Sequence, residues 1–380
     1  MTERFDLAIV GAGVVGLAHA LAAARLGKRV VVIERDAQAN GASIRNFGFV
    51  TVTGQQAGDT WRRAMRARDV WLEVAPQAGI AIEQSGLLLL MRRPEAVATA
   101  EAFLATEMGQ DCEFLAPEAL RARWPYLPAP GLLGGLASPH ERRVESRDAL
   151  PRLAAWLEAR HGVAFRWRTA AQGLTATGVT TSRGPVEADA VVLCPGDDLV
   201  SFYPDRIAAK GVSLCRLSML RLADPGFRLG PCLMSDLGLV RYQGYGELPA
   251  AAPLRTRLER EQPDALANGV HLIVAQSADG SLVVGDSHHY ADTPWPFAPA
   301  EAEALILAEF EAATGLAPPP VIERWTGVYA SAPDRNVLID APEPHVRLVI
   351  VTSGTGASTA FAIAEEVIGD LYGAAPGDFA

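Results

Sequence analysis

The chain has 380 residues, more than the roughly 250 to 300 at which a single hydrophobic core stops growing, so two domains are expected. Its net charge of −10 argues against a nucleic-acid surface or an anionic membrane as partner, and its 49% hydrophobic and 21% charged residues are typical of a globular protein. The sequence has neither an apolar run of about 18 residues nor a recognisable signal peptide, so a cytoplasmic protein is expected.

A glycine-rich turn follows the first predicted strand, Phe5–Val10, and leads into a predicted helix, Leu17–Leu26. Gly11 permits the tight turn, Gly13 lets the backbone approach a pyrophosphate, and Gly16 lets the helix pack closely on the strand. The N-terminus of the helix then offers unpaired N–H groups and a partial positive charge to the phosphates. This strand, turn and helix therefore predict a dinucleotide site.

A second predicted strand, Val30–Ile33, ends on Glu34. Glu34 lies 23 residues after Gly11, close to the roughly 20 residues at which a carboxylate meets the ribose hydroxyls of a bound dinucleotide. A Gly-x-Gly-x-x-Gly pattern alone is a weak signal. The flanking strands and the acidic residue make this one more specific.

Helices and strands are then predicted in alternation. A polar, glycine-punctuated segment, Asn40–Val50, comes first. Helices are predicted at Trp61–Ala75, Glu95–Met108, Pro117–Trp124 and Arg147–His161. Strands are predicted at Gly86–Met91, Ala164–Arg168 and Val186–Cys194.

The following part of the chain is rich in predicted strands, which indicates an antiparallel sheet in a second domain. These strands are Val212–Leu222, Gly238–Tyr242, Val270–Gln276 and Ser281–Gly285. The stretch Leu248–Pro263 is rich in proline, alanine and charge and is predicted to be an exposed loop.

The C-terminal part repeats the pattern of the start. A helix is predicted at Pro299–Thr314 and strands at Val321–Tyr329, Val337–Ile339 and Val346–Val351. The last strand enters a glycine-rich turn, Thr352–Ser358, that opens a terminal helix. Two such helix N-termini in one chain suit one large ligand with a polar group at each end.

Six segments, taken in chain order, resemble the D-amino-acid oxidase-like family of FAD-dependent oxidoreductases, which includes glycine oxidase and sarcosine oxidase. They are Gly11–Ala20 with Glu34 and Arg35, Gly41–Gly48, Val191–Gly196, Asp279–Gly285, Trp325–Tyr329 with Pro333 and Asp334, and Ser353–Ser358. The resemblance covers nearly the whole chain. It implies an α/β fold in which a discontinuous Rossmann-like FAD-binding domain, residues 1–80, 146–212 and 323–380, carries an inserted α+β substrate domain with an antiparallel sheet, residues 81–145 and 213–322.

The resemblance also implies where FAD is held. The pyrophosphate would lie on the first glycine turn and the pyrimidine edge of the flavin on the last turn, where a helix N-terminus stabilises negative charge on the reduced ring. The implied contacts are Gly11, Gly13, Val14, Val15, Gly16, Glu34, Arg35, Ser43, Arg45, Asn46, Gly48, Ala170, Pro195, Gly196, Gly354, Thr355, Gly356, Ala357 and Ser358. Sarcosine oxidases link flavin to a cysteine near the position of Tyr329. Because this chain has no cysteine after Cys232, FAD is expected to be non-covalent.

Three stretches are similar to one subgroup of the family, proposed to oxidise aminophosphonates related to 2-aminoethylphosphonate. They are Gly41–Gly48, Arg216–Arg221 and Trp325–Arg335. The amino-acid oxidases of the family place a carboxylate-binding arginine just after the Trp-x-Gly-x step, and here that position is Tyr329. Because a phenol cannot form the bidentate fork of a guanidinium, a free α-amino acid is a poor first candidate, and the subgroup resemblance implies that the substrate is an aminoalkylphosphonate, oxidised to an aldehyde in phosphonate catabolism.

The candidates for contact with the substrate are Tyr329, His288, Arg45, Arg241, Arg335, Phe49 and Thr51. Tyr329 is chosen for its aligned position, and His288 because it follows a strand end that reaches the active site in the family. A phosphonate needs cationic partners, hence the three arginines. No side-chain nucleophile or base is assigned, because the cofactor performs the hard chemistry.

Several alternatives stay open. An oxidase of glycine, sarcosine or D-amino acids would need another arginine for the carboxylate. An NAD-dependent dehydrogenase is disfavoured by the last glycine turn, and a non-catalytic flavin-binding subunit is a third alternative. Leu282–Val284 lacks the oxygen-activating lysine of sarcosine oxidases, so the electron acceptor can be O2 or another molecule. The four cysteines show no metal-binding spacing, so no metal is expected, and the oligomeric state is open.

Overall fold

Strands and helices are distributed along the whole of the computed structural model, which describes residues 4–127 and 131–379. The strands are β1 (Arg4–Val10), β2 (Val30–Ile33), β3 (Phe49–Val50), β4 (Gln84–Met91), β5 (Glu113–Leu115), β6 (Gly134–Arg143), β7 (Ala164–Arg166), β8 (Ala171–Thr175), β9 (Gly178–Thr181), β10 (Val186–Leu193), β11 (Ser213–Leu222), β12 (Cys232–Ser235), β13 (Ile273–Gln276), β14 (Leu282–Gly285), β15 (His289–Ala291), β16 (Val321–Ser331), β17 (Val337–Glu343) and β18 (Val346–Val351).

The α-helices connect these strands, and three 3₁₀ turns add to them at Ala42–Ile44, Glu107–Gly109 and Pro376–Phe379. The helices are α1 (Val14–Arg25), α2 (Asp59–Gln77), α3 (Pro94–Leu104), α4 (Pro117–Arg123), α5 (Ser146–His161), α6 (Pro204–Ala208), α7 (Gly238–Arg241), α8 (Gln243–Gly246), α9 (Ala251–Glu261), α10 (Pro263–Ala267), α11 (Ala300–Thr314) and α12 (Gly356–Tyr372). None of the described helices is both long and apolar enough to cross a bilayer.

The first sheet joins the two ends of the chain. Its order is β17-β18-β10-β1-β2-β7, with the β8–β9 pair on β10, and β1 pairs in parallel with both β2 and β10. Apolar residues cover both faces of these strands, as expected for a parallel sheet buried by helices. Helices α1, α2, α5 and α12 pack into the core on one face, so the N-terminal and C-terminal turns come together.

The second sheet is mixed and mostly antiparallel. Its order is β15-β11-β14-β13-β12-β4-β6-β3, with β16 on β11 and β5 on β6. β11 and β16 pair from Ser213 opposite Ser331 to Leu222 opposite Val321. A second large hydrophobic core lies around this sheet and the helices that cover it.

The α/β class with a dinucleotide-type parallel sheet is confirmed, and most predicted elements occur within a few residues of their expected bounds. Two predictions were wrong. Gly238–Tyr242 is not a strand but contains α7, and Leu248–Pro263 is not a loop but contains α9. In α9 the residues Ala251, Leu254 and Leu258 are buried, and this i, i+3, i+7 spacing is the helical pattern that the proline and charge content concealed. The division into domain segments stays a prediction.

Candidate functional site

A cavity of about 770 Å³ lies between the two sheets. Its wall includes the first glycine turn, the segment after it around residues 42–56, parts of β11 and β16, and the last turn at residues 352–358. The two glycine-rich turns, which are far apart in sequence, therefore face the same space.

The first glycine turn has the close packing that its sequence predicts. A Cβ atom on Gly16 would lie 1.9 Å from the carbonyl oxygen of Gly11, so α1 can pack this closely only without a side chain there. Gly11 has φ 103°, a conformation that favours glycine. The N–H of Val14 donates to Oγ of Ser43 at 2.9 Å, which fixes the segment 42–46 across the N-terminus of α1.

Glu34 holds the turn from the end of β2. Its Oε2 accepts the N–H of Ala12 at 2.8 Å and its Oε1 accepts the N–H of Asp36 at 3.0 Å. A second cavity of about 220 Å³ lies beside Ala12 and is lined by residues 37–39, by α5 and by Trp167. The glycine turn thus separates two cavities, an arrangement that suits a long dinucleotide with its pyrophosphate at the turn.

The last turn packs against β16 and against the segment after β3. Gly354 has φ 71°, and a Cβ there would lie 3.2 Å from the ring of Tyr329, so the phenol packs against the turn. Oγ of Ser358 accepts the N–H of Thr51 at 2.8 Å and joins the first turn of α12 to the segment after β3. The N-terminus of α12 faces the cavity, where its dipole favours a negative charge.

Most of the predicted cofactor contacts line the large cavity. They are Gly13, Val14, Val15, Gly16, Ser43, Arg45, Asn46, Gly196, Gly354, Thr355, Gly356, Ala357 and Ser358. Two others have different partners in the structure: Arg35 lies 3.6 Å from Asp198, while the N–H of Ala170 donates to Oγ of Ser182. Asn46 also closes its own turn, because its Oδ1 accepts the N–H of Gly48 at 2.7 Å.

Two phenols flank a buried thiol on the cavity side of the second sheet. Cys215 on β11 lies opposite Tyr290 on β15 and opposite Tyr329 on β16. Side chains in register across neighbouring strands share a face, so Tyr290 and Tyr329 both point into the cavity, which they line. Burial raises the pKa of the Cys215 thiol to about 11.

Arg216, one residue along β11, points to the opposite face of the sheet. Its Nη1 donates to the carbonyl oxygens of Trp295, at 2.8 Å, and of Phe297. The cavity face is the one that carries Ser213, Cys215 and Leu217.

A guanidinium group stands beside these phenols. Arg241, at the end of α7, donates from Nη2 to the hydroxyl of Tyr290 at 2.8 Å and lines the cavity. Burial raises the pKa of Tyr329, and the positive charge of Arg241 acts in the opposite direction. Arg241 therefore places a guanidinium near Tyr329, and it does so from α7 and not from β16.

An acidic residue and two imidazoles form the polar end of the cavity. Because Ile273 lies opposite Gly285, residues before β13 and after β14 leave the sheet at one edge. There Oδ1 of Asp286 lies 3.3 Å from Nδ1 of His271, and Oδ2 lies 3.7 Å from Nε2 of His288. Burial raises the pKa of Asp286 to about 7 and lowers that of His271 to about 3, and it also lowers the pKa of His288.

The ligand atoms of these three side chains lie within 4.8 Å of one another, a grouping that could hold a metal ion. The sequence offered no such constellation, because His271 and Asp286 are 15 residues apart, one before β13 and the other after β14. The charge of Arg241 lowers the pKa of both histidines and of Asp286. The same positive charge opposes a second cation here.

Of the predicted substrate contacts, six line the cavity: Tyr329, His288, Arg45, Arg241, Phe49 and Thr51. Arg335 does not, since its guanidinium pairs with Asp334. Sequence reasoning missed Asp286, His271, Tyr242 and Tyr290. The only signal for Asp286 was its place directly after a strand end, next to the chosen His288.

The fold and the two glycine turns on one elongated cavity define a dinucleotide-binding oxidoreductase of the FAD-dependent type. The family model "DAO: FAD dependent oxidoreductase" matches residues 6–369. The chain therefore belongs to the DAO family of FAD-dependent oxidoreductases, and FAD is its cofactor. The lining residues fit that group, because the N-termini of α1 and α12 and the two glycine turns open onto the cavity.

Solved structures with this fold cover nearly the whole chain. L-proline dehydrogenase from P. horikoshii has a TM-score of 0.78 at 18% identity, over 99% of this chain and 96% of that one. Glycine oxidase from Bacillus cereus has a TM-score of 0.76 at 16% identity, over 97% and 95%. L-α-glycerophosphate oxidase from Mycoplasma pneumoniae with FAD bound has a TM-score of 0.73 at 16% identity, over 97% and 95%. Among curated proteins, the search finds no match.

Proposed function

We propose that the protein oxidises a small amine that carries an anionic group, and that this group is a phosphonate, as in 2-aminoethylphosphonate or an N-substituted relative. The product would be the aldehyde, formed when the imine is hydrolysed. The observation that carries the proposal is that Arg241 and Asp286 line the same cavity, near enough for the charge of Arg241 to lower the pKa of Asp286. A cation and a carboxyl group on the wall of one cavity match a substrate with an anion at one end and an ammonium at the other.

The donors around Arg241 favour a tetrahedral anion over a planar one. The guanidinium can fork two oxygens, and the hydroxyls of Tyr290 and Tyr329 lie on the same face of the sheet. A phosphonate has three oxygens to satisfy, whereas a carboxylate has two that lie in one plane. Arg45 also lines the cavity, and the described structure gives its guanidinium no ion-pair partner.

FAD, when bound, accepts a hydride from the carbon that bears nitrogen. The protein's own part is to bind and orient the amine and to exclude water. The cavity wall also contains Phe49 and Leu217, which are buried and apolar. These side chains would hold the short carbon chain between the two charged ends.

A glycine, sarcosine or D-amino-acid oxidase is the second candidate, and one observation favours it. The sequence argument against an α-amino acid depended on the absence of arginine at position 329. Arg241 restores a guanidinium to the surroundings of Tyr329, so a carboxylate could be bound from α7. Glycine oxidase from Bacillus cereus and L-proline dehydrogenase from P. horikoshii act, by their names, on amino acids, while the glycerophosphate oxidase acts on a phosphate ester.

A substrate panel separates the two candidates. The FAD-loaded protein is mixed without oxygen with 2-aminoethylphosphonate, its N-methyl derivative, glycine, sarcosine or D-alanine, and loss of the flavin absorbance is timed. Faster reduction by the aminophosphonates, together with aldehyde formation, supports the proposal. Faster reduction by glycine or D-alanine refutes the phosphonate assignment. Repeating the reaction with oxygen and with a dye as electron acceptor shows whether the protein is an oxidase or a dehydrogenase.

A further inference from the structure

Asp286 carries a buried carboxyl group that lines the cavity. This group has no part in the binding of the substrate anion proposed above. Its two oxygens lie beside the rings of His271 and His288, which are 5.0 Å apart, and the described structure gives Oδ1 no hydrogen-bond partner. A buried carboxyl oxygen without a partner costs free energy in a resting protein. Such a group is expected to have a partner at some stage of the reaction.

The hydrogen bond made by Nδ1 of His288 determines whether the Nε2 atom that faces Asp286 is a donor or an acceptor. Nδ1 of His288 lies 2.9 Å from the carbonyl oxygen of Gly269, which can only accept, so this nitrogen carries the proton. In the neutral ring Nε2 then presents a lone pair, and this atom lies 3.7 Å from Oδ2 of Asp286. An ionised Asp286 would face that lone pair with a second acceptor, whereas a protonated Asp286 could donate to it.

The remaining groups around Asp286 are His271, Tyr242 and Arg241. Nε2 of His271 lies 3.4 Å from the hydroxyl of Tyr242, and burial lowers the pKa of the His271 ring to about 3. Arg241 carries a fixed positive charge that disfavours a proton on either ring. The proton that this cluster gains and loses near neutral pH therefore belongs to Asp286 and not to the histidines.

We propose that Asp286 is the catalytic proton acceptor that converts the substrate ammonium into the reactive amine, with His288 as a positioning residue that receives the hydrogen bond of the protonated acid. An N–H bond of the ammonium breaks, its electron pair stays on nitrogen, and a new O–H bond forms on the carboxylate. A charged pair becomes two neutral groups, and the freed lone pair can assist departure of hydride from the neighbouring carbon. This step rests on the proposed amine oxidation, but not on the phosphonate.

The test compares the wild type, Asp286→Asn and Asp292→Asn, the last being a control at an exposed carboxylate six residues away. Each holoenzyme is checked for FAD content and folding. kcat/KM is then measured against pH with whichever amine of the panel reduces the flavin fastest. In the wild type, kcat/KM is expected to rise as pH increases through about 7, because Asp286 must be ionised to accept a proton.

In Asp286→Asn, kcat/KM at neutral pH is expected to fall by a factor of roughly 10² to 10⁴, the usual contribution of a positioned base. Activity should then recover as pH approaches the pKa of the free amine, about 10 as for lysine, because solvent supplies the deprotonated substrate. A structural role for Asp286 would lower activity at every pH and would show no such rescue. Asp292→Asn is expected to keep the wild-type profile.

A second measurement needs no turnover. In the infrared spectrum of the resting holoenzyme, a carboxylic-acid carbonyl band should disappear as pH is raised through about 7, and Asp286→Asn should lack that band. An unchanged pH profile in Asp286→Asn, or a wild-type spectrum without the band, overturns the inference and leaves the amine oxidation intact. A stoichiometric divalent metal in the purified protein would overturn it too. If no amine reduces the flavin, the proposed function itself fails.

Discussion

Replacement of Arg241 by glutamine tests whether this residue binds the anionic end of the substrate. Arg241 donates from Nη2 to the hydroxyl of Tyr290 at 2.8 Å. Glutamine keeps a polar amide on a shorter side chain but removes the charge and the fork. A hydrogen bond to a charged group contributes about 1.5–3 kcal/mol. Loss of one to two such bonds corresponds to ~3 kcal/mol, or about 100-fold in kcat/KM at 1.4 kcal/mol per tenfold.

The assay is steady-state kinetics with the fastest amine of the panel, alongside Arg324→Gln, an exposed arginine on β16 that pairs with Glu303. The Arg241 variant is expected to lose affinity for the substrate while FAD content stays unchanged. Because Arg241 lowers the pKa of Asp286, its removal should also move the rise of kcat/KM to higher pH. An unchanged kcat/KM, or a loss equal to that of Arg324→Gln, would refute the role assigned to Arg241.

Three further substitutions test the framework of the site. Gly16→Ala puts a Cβ 1.9 Å from a carbonyl oxygen of the first turn, so FAD affinity measured by fluorescence should fall sharply, whereas Gly377→Ala, in open space, should not change it. In the wild type the guanidinium of Arg93 lies 2.7 Å from the fully buried carboxylate of Asp236. Arg93→Met removes this charged partner and should lower the free energy of unfolding in urea by about 3–5 kcal/mol. Burial lowers the pKa of His19 from 6.5 to about 4, so as pH falls from 6.5 towards 4 only the unfolded state gains a proton at this residue. The wild type should therefore lose at most ~3 kcal/mol of its free energy of unfolding over that range. His19→Leu should reduce this loss, as measured by urea titrations at several pH values.

The cofactor side of the site could be predicted from sequence because its signals are local. The first turn and the last turn each combine a buried strand, glycines and a helix start within about 20 residues, and Glu34 follows at a fixed spacing. Val30–Ile33 and Val346–Val351 occur with the predicted bounds. Here the periodicity of the chain and the requirements of a pyrophosphate point to the same residues.

The polar end of the cavity could not be predicted in this way, because it depends on strand register. Asp286 and His271 meet because Ile273 lies opposite Gly285. A shift of one residue in that pairing would turn neighbouring side chains to the other face of the sheet. Sequence reasoning selected His288 from its place after a strand end, but it had no means of bringing the second histidine to the same edge.

Arg241 shows why the absence of an expected arginine from a motif is weak evidence about the substrate. Position 329 carries a phenol, and the sequence argument treated the carboxylate fork as missing. In the structure β12 and β13 are antiparallel, with Met234 opposite Ile273, so the end of β12 and the short helix α7 reach the same edge as Asp286. A guanidinium can therefore reach one cavity from several elements. Two sites of this kind have to be compared by the positions of their charged groups in the structure, and not by a single aligned residue. The polar end of this cavity brings together Arg241, the phenols of Tyr290 and Tyr329 and the carboxyl group of Asp286, and this set of groups supports the proposal that Arg241, and not position 329, binds the anionic end of the amine.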